Sequence, residues 1–196
     1  MTRDDIPDVP RTRAQTLVRG LPGHPLHPPL TDATIGMFVL ATGLAIIGYA
    51  GAIETKAGPA SWLALIGGLG VAVPTALTGF IDWLYLEWGS ARWRTATWHL
   101  GAMVTAVALF ALAAWRQHPG YEHGNVTTPG LVLSLAGLVV LSVGGWLGGS
   151  VVFVHGTRVI ATREPQPPDL GAGAGGGGVD GSGQRTGTPG TARDRR

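Results

Sequence analysis

The chain contains no cysteine. That excludes disulfides, thiolate-held iron–sulfur clusters and covalently attached c-type haem. Any cofactor has to be held by histidine, carboxylate or backbone groups. Charge is scarce as well: Asp, Glu, Lys and Arg make up 13% of the 196 residues, about half of the ~25% usual in soluble domains. Residues 33–53, 57–81, 95–115 and 123–157 carry none at all. Each stretch is long enough for the ~20 mostly apolar residues of a spanning helix. A soluble bundle would need polar stripes at every third or fourth residue to face water, and these are missing. A cleavable signal peptide is not visible either. Residues 1–29 hold Arg3, Arg11, Arg13 and Arg19, with four prolines before His27 and no apolar core. The first helix is therefore expected to direct insertion itself and to stay in the membrane.

What is present predicts an all-α fold: a polytopic four-helix transmembrane bundle with both termini cytoplasmic and a disordered C-terminal tail. The expected helices cover about residues 32–53, 61–84, 95–115 and 129–155. They lie in a transmembrane domain at 23–160, after a cytoplasmic arm at 1–22. Residues 161–196 are rich in Gly and Pro and have almost no large apolar side chain, so they cannot offset their chain entropy by burial. Pro74 predicts a kink in the second helix. Trp62, Trp83, Trp88, Trp93, Trp98 and Trp115 fall near segment ends, as in an interfacial aromatic belt.

Short loops make successive helices antiparallel, and the positive-inside rule sets their direction. The arm, the 85–94 loop and the C-terminal region hold all of the 14 Lys and Arg residues except Lys56 and Arg116. Those two occupy the opposite loops, so both ends are expected in the cytoplasm. Reporter fusions within 85–94 and after Arg163 are expected to read as cytoplasmic, and fusions at 118–126 as external. The reverse pattern would move every site residue discussed below to the outer face.

Small residues mark packing faces. Gly144 with Gly148, and Gly145 with Gly149, are four apart on helix four, and Gly36 and Gly43 mark a similar face on helix one. Such residues let helix backbones approach closely, and they also leave room for an oligomer.

Ionisable groups inside a membrane are costly and call for individual explanation. Asp32, Asp82, His99 and His155 fall one per helix, all at the cytoplasmic end. His155 shares a helical stripe with Gly144 and Gly148, Asp32 shares one with Gly36 and Gly43, and Asp82 shares one with Thr75 and Thr78. Asp32, Thr78 and the others are thus expected to face inward. The proline-rich run at 23–29 predicts an extended polyproline approach to helix one. That conformation would put His24 and His27 on one side. His118 and His123 read as ordinary residues of an external loop.

Two imidazoles from adjacent antiparallel helices at one depth suit a low-spin haem. His99 and His155 are the expected cofactor-binding pair, for a non-covalent haem b in electron transfer. A mononuclear divalent metal is the other version, held by Asp82, His99 and His155 as two histidines and a carboxylate, with His24 and His27 as further candidate ligands. No catalytic residue stands out. Other readings remain open. The groups could only cap helices and bond one another. They could also serve a small transport or proton-relay protein, or sit in a ligand-free assembly scaffold. The expected partners are the lipid bilayer and, for electron transfer, a redox protein; no nucleic acid is expected.

Four separated motifs carry a resemblance. Gly-His-Pro-Leu-His-Pro-Pro-Leu at 23–30 comes first, then Thr-Gly-Phe-Ile-Asp-Trp at 78–83, then Trp98-His99. The last is Gly-Gly-Trp-Leu-Gly-Gly at 144–149, continuing through Val154-His155-Gly156. In this order, over about residues 22–160, the chain resembles domain-of-unknown-function family 2231, predicted multi-pass bacterial membrane proteins. The resemblance implies a four-helix domain in the cytoplasmic membrane of a bacterium, with no established activity. Some relatives look joined to Rieske-type iron–sulfur domains, which implies a redox setting; this chain has no cysteine for such a domain. The family pattern usually has an acid and an aromatic where this chain has Ser150 and Phe153.

Overall fold

The computed structural model describes residues 12–13, 16, 19–21, 24–53 and 55–157. All belong to one compact unit, Met1–Ile160; the second unit, Ala161–Arg196, and with it the expected tail, lies outside the described residues. So do Arg3, Arg11, Arg158 and Arg163, on which part of the charge count rests.

Four helices carry the structure: α1 (His27–Tyr49), α2 (Ala57–Leu84), α3 (Ala91–His123) and α4 (Thr128–Phe153). All four are long and apolar enough to cross a membrane. They are preceded by a minimal antiparallel ladder in which β1 (Gly20–Leu21) pairs with β2 (His24–Pro25). Gly20 turns the chain there with φ of 84°. A side chain at this position would also strike the His24 carbonyl oxygen, so glycine is required twice over.

The helix ends correct the expected boundaries. α1 begins at His27, not near Asp32, with Pro28 and Pro29 in its first turn. The first turn has no intrahelical partner for its N–H groups, so proline loses nothing there, and its fixed φ suits the helix. The polyproline reading of residues 23–29 therefore fails from His27 onward. α3 is 33 residues long and runs through Pro119 to His123. His118 and His123 are thus helical, not loop residues. At ~1.5 Å per residue the helix is ~50 Å long, against a hydrocarbon core of ~30 Å. Arg92, Arg94, Arg116 and Glu122 fit on its end turns because the ends reach the polar interface. Ser90 caps its start by accepting from the Trp93 N–H, and Gly124, with φ of 72°, closes its end. α2 passes through Pro74 unbroken, and the hydroxyls of Thr75 and Thr78 bond the carbonyls of Val71, Pro74 and Thr75 around it.

α1 packs on α2 and α4, and α3 on the same two helices. α1 and α3 thus face each other across the interior. There Phe38 and Phe110 stack at 4.0 Å between centroids and 8° between planes, both fully buried. Ala41, Ala64, Leu65, Ala72, Ala106, Ala113, Ala114 and Leu141 complete the core. Alanine and glycine dominate because in lipid the helices gain by close backbone approach, not by burying bulk. Large apolar side chains point outward instead: Trp146 is 74% and Phe153 87% exposed. Of the expected packing faces, Gly144 and Gly148 meet Met103 and His99, whereas Gly36, Gly43 and Gly145 meet nothing. Gly48, against Ala57, is where α1 comes close to its neighbour.

The two hairpins repeat one another. His27, Phe38, Leu40, Ala41, Gly48 and Tyr49 on α1 recur at identical spacing as His99, Phe110, Leu112, Ala113, Gly120 and Tyr121 on α3. Gly68, Leu69, Val71 and Gly79 on α2 likewise recur as Gly137, Leu138, Val140 and Gly148 on α4. The contacts follow the letters. Gly68 lies against the Phe38 ring, and Gly137 against the Phe110 ring.

Candidate functional site

α1 and α3 begin, and α2 and α4 end, at the same level of the bundle. His27, Asp32, Asp82, Arg92, Arg94 and His99 of the described helices are found there. His27 opens α1 and lies on Gly79 of α2, where a methyl group would come within 2.6 Å of the ring. Its Nδ1 is 3.1 Å from the Thr75 carbonyl oxygen. A carbonyl only accepts, so Nδ1 carries the proton and donates it. The Thr31 hydroxyl stands 3.4 Å from Nε2. Separately, the Thr75 side-chain hydroxyl bonds the Thr34 hydroxyl at 2.9 Å, in the buried interior.

The second hairpin repeats this arrangement. His99 of α3 lies on Gly148 of α4, where a methyl group would come within 2.9 Å of the ring. Its Nδ1 donates to the Gly144 carbonyl at 2.7 Å. In each case the accepting carbonyl belongs to the residue one turn before the glycine under the ring. The glycine removes the side chain that would otherwise keep the imidazole from that carbonyl.

Asp82 is held by the arm. The Arg19 Nε donates to its Oδ1 at 2.7 Å, with side-chain exposures of 4% and 17%. The guanidinium also lies over the Tyr85 ring at 4.1 Å. The β1–β2 ladder is what brings Arg19 back onto the bundle end. His155 follows α4, and its Nε2 is 3.1 Å from the Thr95 hydroxyl of α3. Trp83, which donates to Thr97 at 2.9 Å, packs at a tilt against Trp93, as does Trp88, around the same end.

These placements sort the expected residues. Thr78 is buried. Asp32 is exposed. It lies two residues, ~200° of helix rotation, from the buried Thr34, which with Phe38, Ala41, Thr42 and Ala45 marks the inner face of α1. His24 is exposed on β2. Asp82, His99 and His155 do not form a ligand set: among the described residues no group of three or more His, Asp or Glu is placed to hold a metal ion. The physical reason is competition, since Arg19 takes the carboxylate and Thr95 the His155 ring.

Sequence reasoning passed over Gln117 at the opposite end. It is buried, donates to the Asn125 carbonyl at 2.9 Å and accepts from the Thr127 N–H at 3.0 Å, fixing the α3–α4 turn. It also passed over the equivalence of His27 and His99. The spacing of eleven residues from each histidine to a phenylalanine, followed by Leu-Ala and then Gly-Tyr, carried that signal. Between the two ends the stacked Phe38 and Phe110 and their alanine shell are apolar.

A family model described as "Predicted membrane protein (DUF2231)" matches residues 23–161. No curated protein and no solved structure matches the chain.

Proposed function

The chain belongs to the DUF2231 family of predicted membrane proteins, and we propose that it binds haem b as a redox group at the cytoplasmic end of its bundle, exchanging electrons with a partner protein. The observation that carries this reading is the state of His99. With Nδ1 donating to Gly144 at 2.7 Å, Nε2 keeps its lone pair. Histidines that ligate metals almost always donate their other ring N–H in this way, which fixes tautomer and orientation. An imidazole held so within a spanning segment is costly unless it serves a purpose. Donor count favours haem over a bare divalent ion. Haem brings four equatorial nitrogens and needs only axial ligands from the protein, whereas a bare ion needs three or four protein donors. The cytoplasmic placement rests on the Lys and Arg asymmetry of the loops.

The test is an absorption spectrum and an elemental analysis of the full chain, purified in detergent after expression with haem precursor and metals supplied. A Soret band that shifts on reduction, with iron in matching stoichiometry, is expected. A colourless, metal-free protein would overturn the reading. It would favour a second one, a ligand-free bundle in which these polar groups only bond one another and the main chain.

A further inference from the structure

The two imidazoles that share a setting are not those on adjacent helices. His99 and His155 differ in every respect: one lies on a glycine and donates to a main-chain carbonyl, the other follows a helix and bonds a threonine hydroxyl. His27 and His99 match in three respects, though only His27 also has a threonine hydroxyl 3.4 Å from Nε2. Each stands eleven residues before a member of the stacked phenylalanine pair. Each lies on a glycine of its own hairpin partner, Gly79 or Gly148. Each donates Nδ1–H to a carbonyl one turn before that glycine.

The phenylalanines establish how the pair is disposed. They meet face to face across the interior from α1 and α3, so the repeats are related by an approximate twofold axis through that contact. Eleven residues of helix, ~16 Å, separate each histidine from its phenylalanine. The two rings therefore stand at one level on opposite sides of the same axis. Small side chains lie near them: Thr31, Thr34, Thr75 and Thr78.

We infer that His27 and His99, one from each half of the internal repeat, are the paired axial ligands of a haem lying on this axis. The inference rests on the haem reading above and changes its ligand pair. Two equivalent imidazoles, each with Nδ1 tied to the backbone and Nε2 as the donor atom, supply what a six-coordinate iron porphyrin lacks. His155 then has a structural role, tying the end of α4 to Thr95.

The experiment titrates the detergent-purified full chain with haemin and records the Soret band before and after dithionite. His27→Gly, His99→Gly and His155→Gly are compared. Each of the first two is expected to weaken haemin binding by at least about tenfold. Added imidazole is expected to restore the low-spin spectrum of both, which also shows that they fold. His155→Gly is expected to bind as wild type. Loss of binding in His155→Gly with retention in His27→Gly overturns the pair while leaving the haem reading intact. Equal uptake by wild type and all three variants is adsorption to apolar surface and overturns both. Wild-type protein that takes up no haemin overturns both as well.

Discussion

Phe110→Ala is expected to lower the unfolding free energy by about 3–5 kcal/mol, the range for emptying a fully buried phenylalanine site. That range contains a transfer part, which is small here because lipid is as apolar as the protein interior, so the lower end of the range is expected. The loss comes from the void. The ring is fully buried, stacked on Phe38 and seated on Gly137, so its removal strips contacts from α1 and α4 together. Phe38→Ala is expected to cost the same, since it occupies the equivalent place in the repeat, on Gly68. The double variant is expected to cost less than the sum by ~1 kcal/mol, because the first substitution already removes the stack. Denaturant titration of the detergent-solubilised protein measures all three. Additive costs would mean that the rings stabilise the bundle separately and that the contact across the interior is not a keystone.

Asp82→Ala is the second substitution with a large expected effect, about 3 kcal/mol. Arg19 is 4% exposed, so removing the carboxylate leaves a guanidinium out of water without its anion. The contact with the Tyr85 ring offsets part of that, since such contacts contribute ~0.5–2 kcal/mol. Asp82→Asn is expected to cost less, because an amide oxygen still accepts from Nε. The decisive comparison is the pair Arg19→Met with Asp82→Leu. Replacing both charges by apolar groups of similar size is expected to recover most of the loss, since neither ion then needs solvation. A thermal melt of each variant in detergent reads the order. If Asp82→Ala melts with the wild type, the pair is solvated in the membrane-bound protein, and the arm is not anchored through it.

The relation of sequence to structure differs from feature to feature. The four spans were legible because their signal is a sum over some twenty residues: long uncharged stretches have no other use in a chain with 13% charge. Their limits were not, because charges mark the end of the apolar run and not the end of the helix. Arg92 and Glu122 lie inside α3, where end turns reach the interface. The prolines of residues 23–29 were misread for a related reason. A proline-rich run excludes a helix interior but is welcome in its first turn, and nothing local distinguishes the two.

The site was half legible. That ionisable groups gather at one end of the bundle follows from alternating helix direction, which the sequence determines through loop length. That Asp32 points outward and Thr78 inward depends on helix rotation, which neighbouring helices decide. The internal repeat was in the sequence from the start, in the shared spacing of His27 and Phe38 with His99 and Phe110. Its meaning was not, because equal spacing says nothing about contact.

The sequence by itself determined that the chain is a membrane bundle of four helices, by withholding charge wherever lipid would have to accept it. It also determined which end collects the polar groups. Only the tertiary structure decided which of those groups act together. Arg19 claims Asp82, Thr95 claims His155, and the glycines at 79 and 148 bring two imidazoles to main-chain carbonyls. The physical reason is that a hydrogen bond is satisfied over about 3 Å. Which partner comes within that distance is settled by how helices far apart in sequence pack, not by the residues along any one of them.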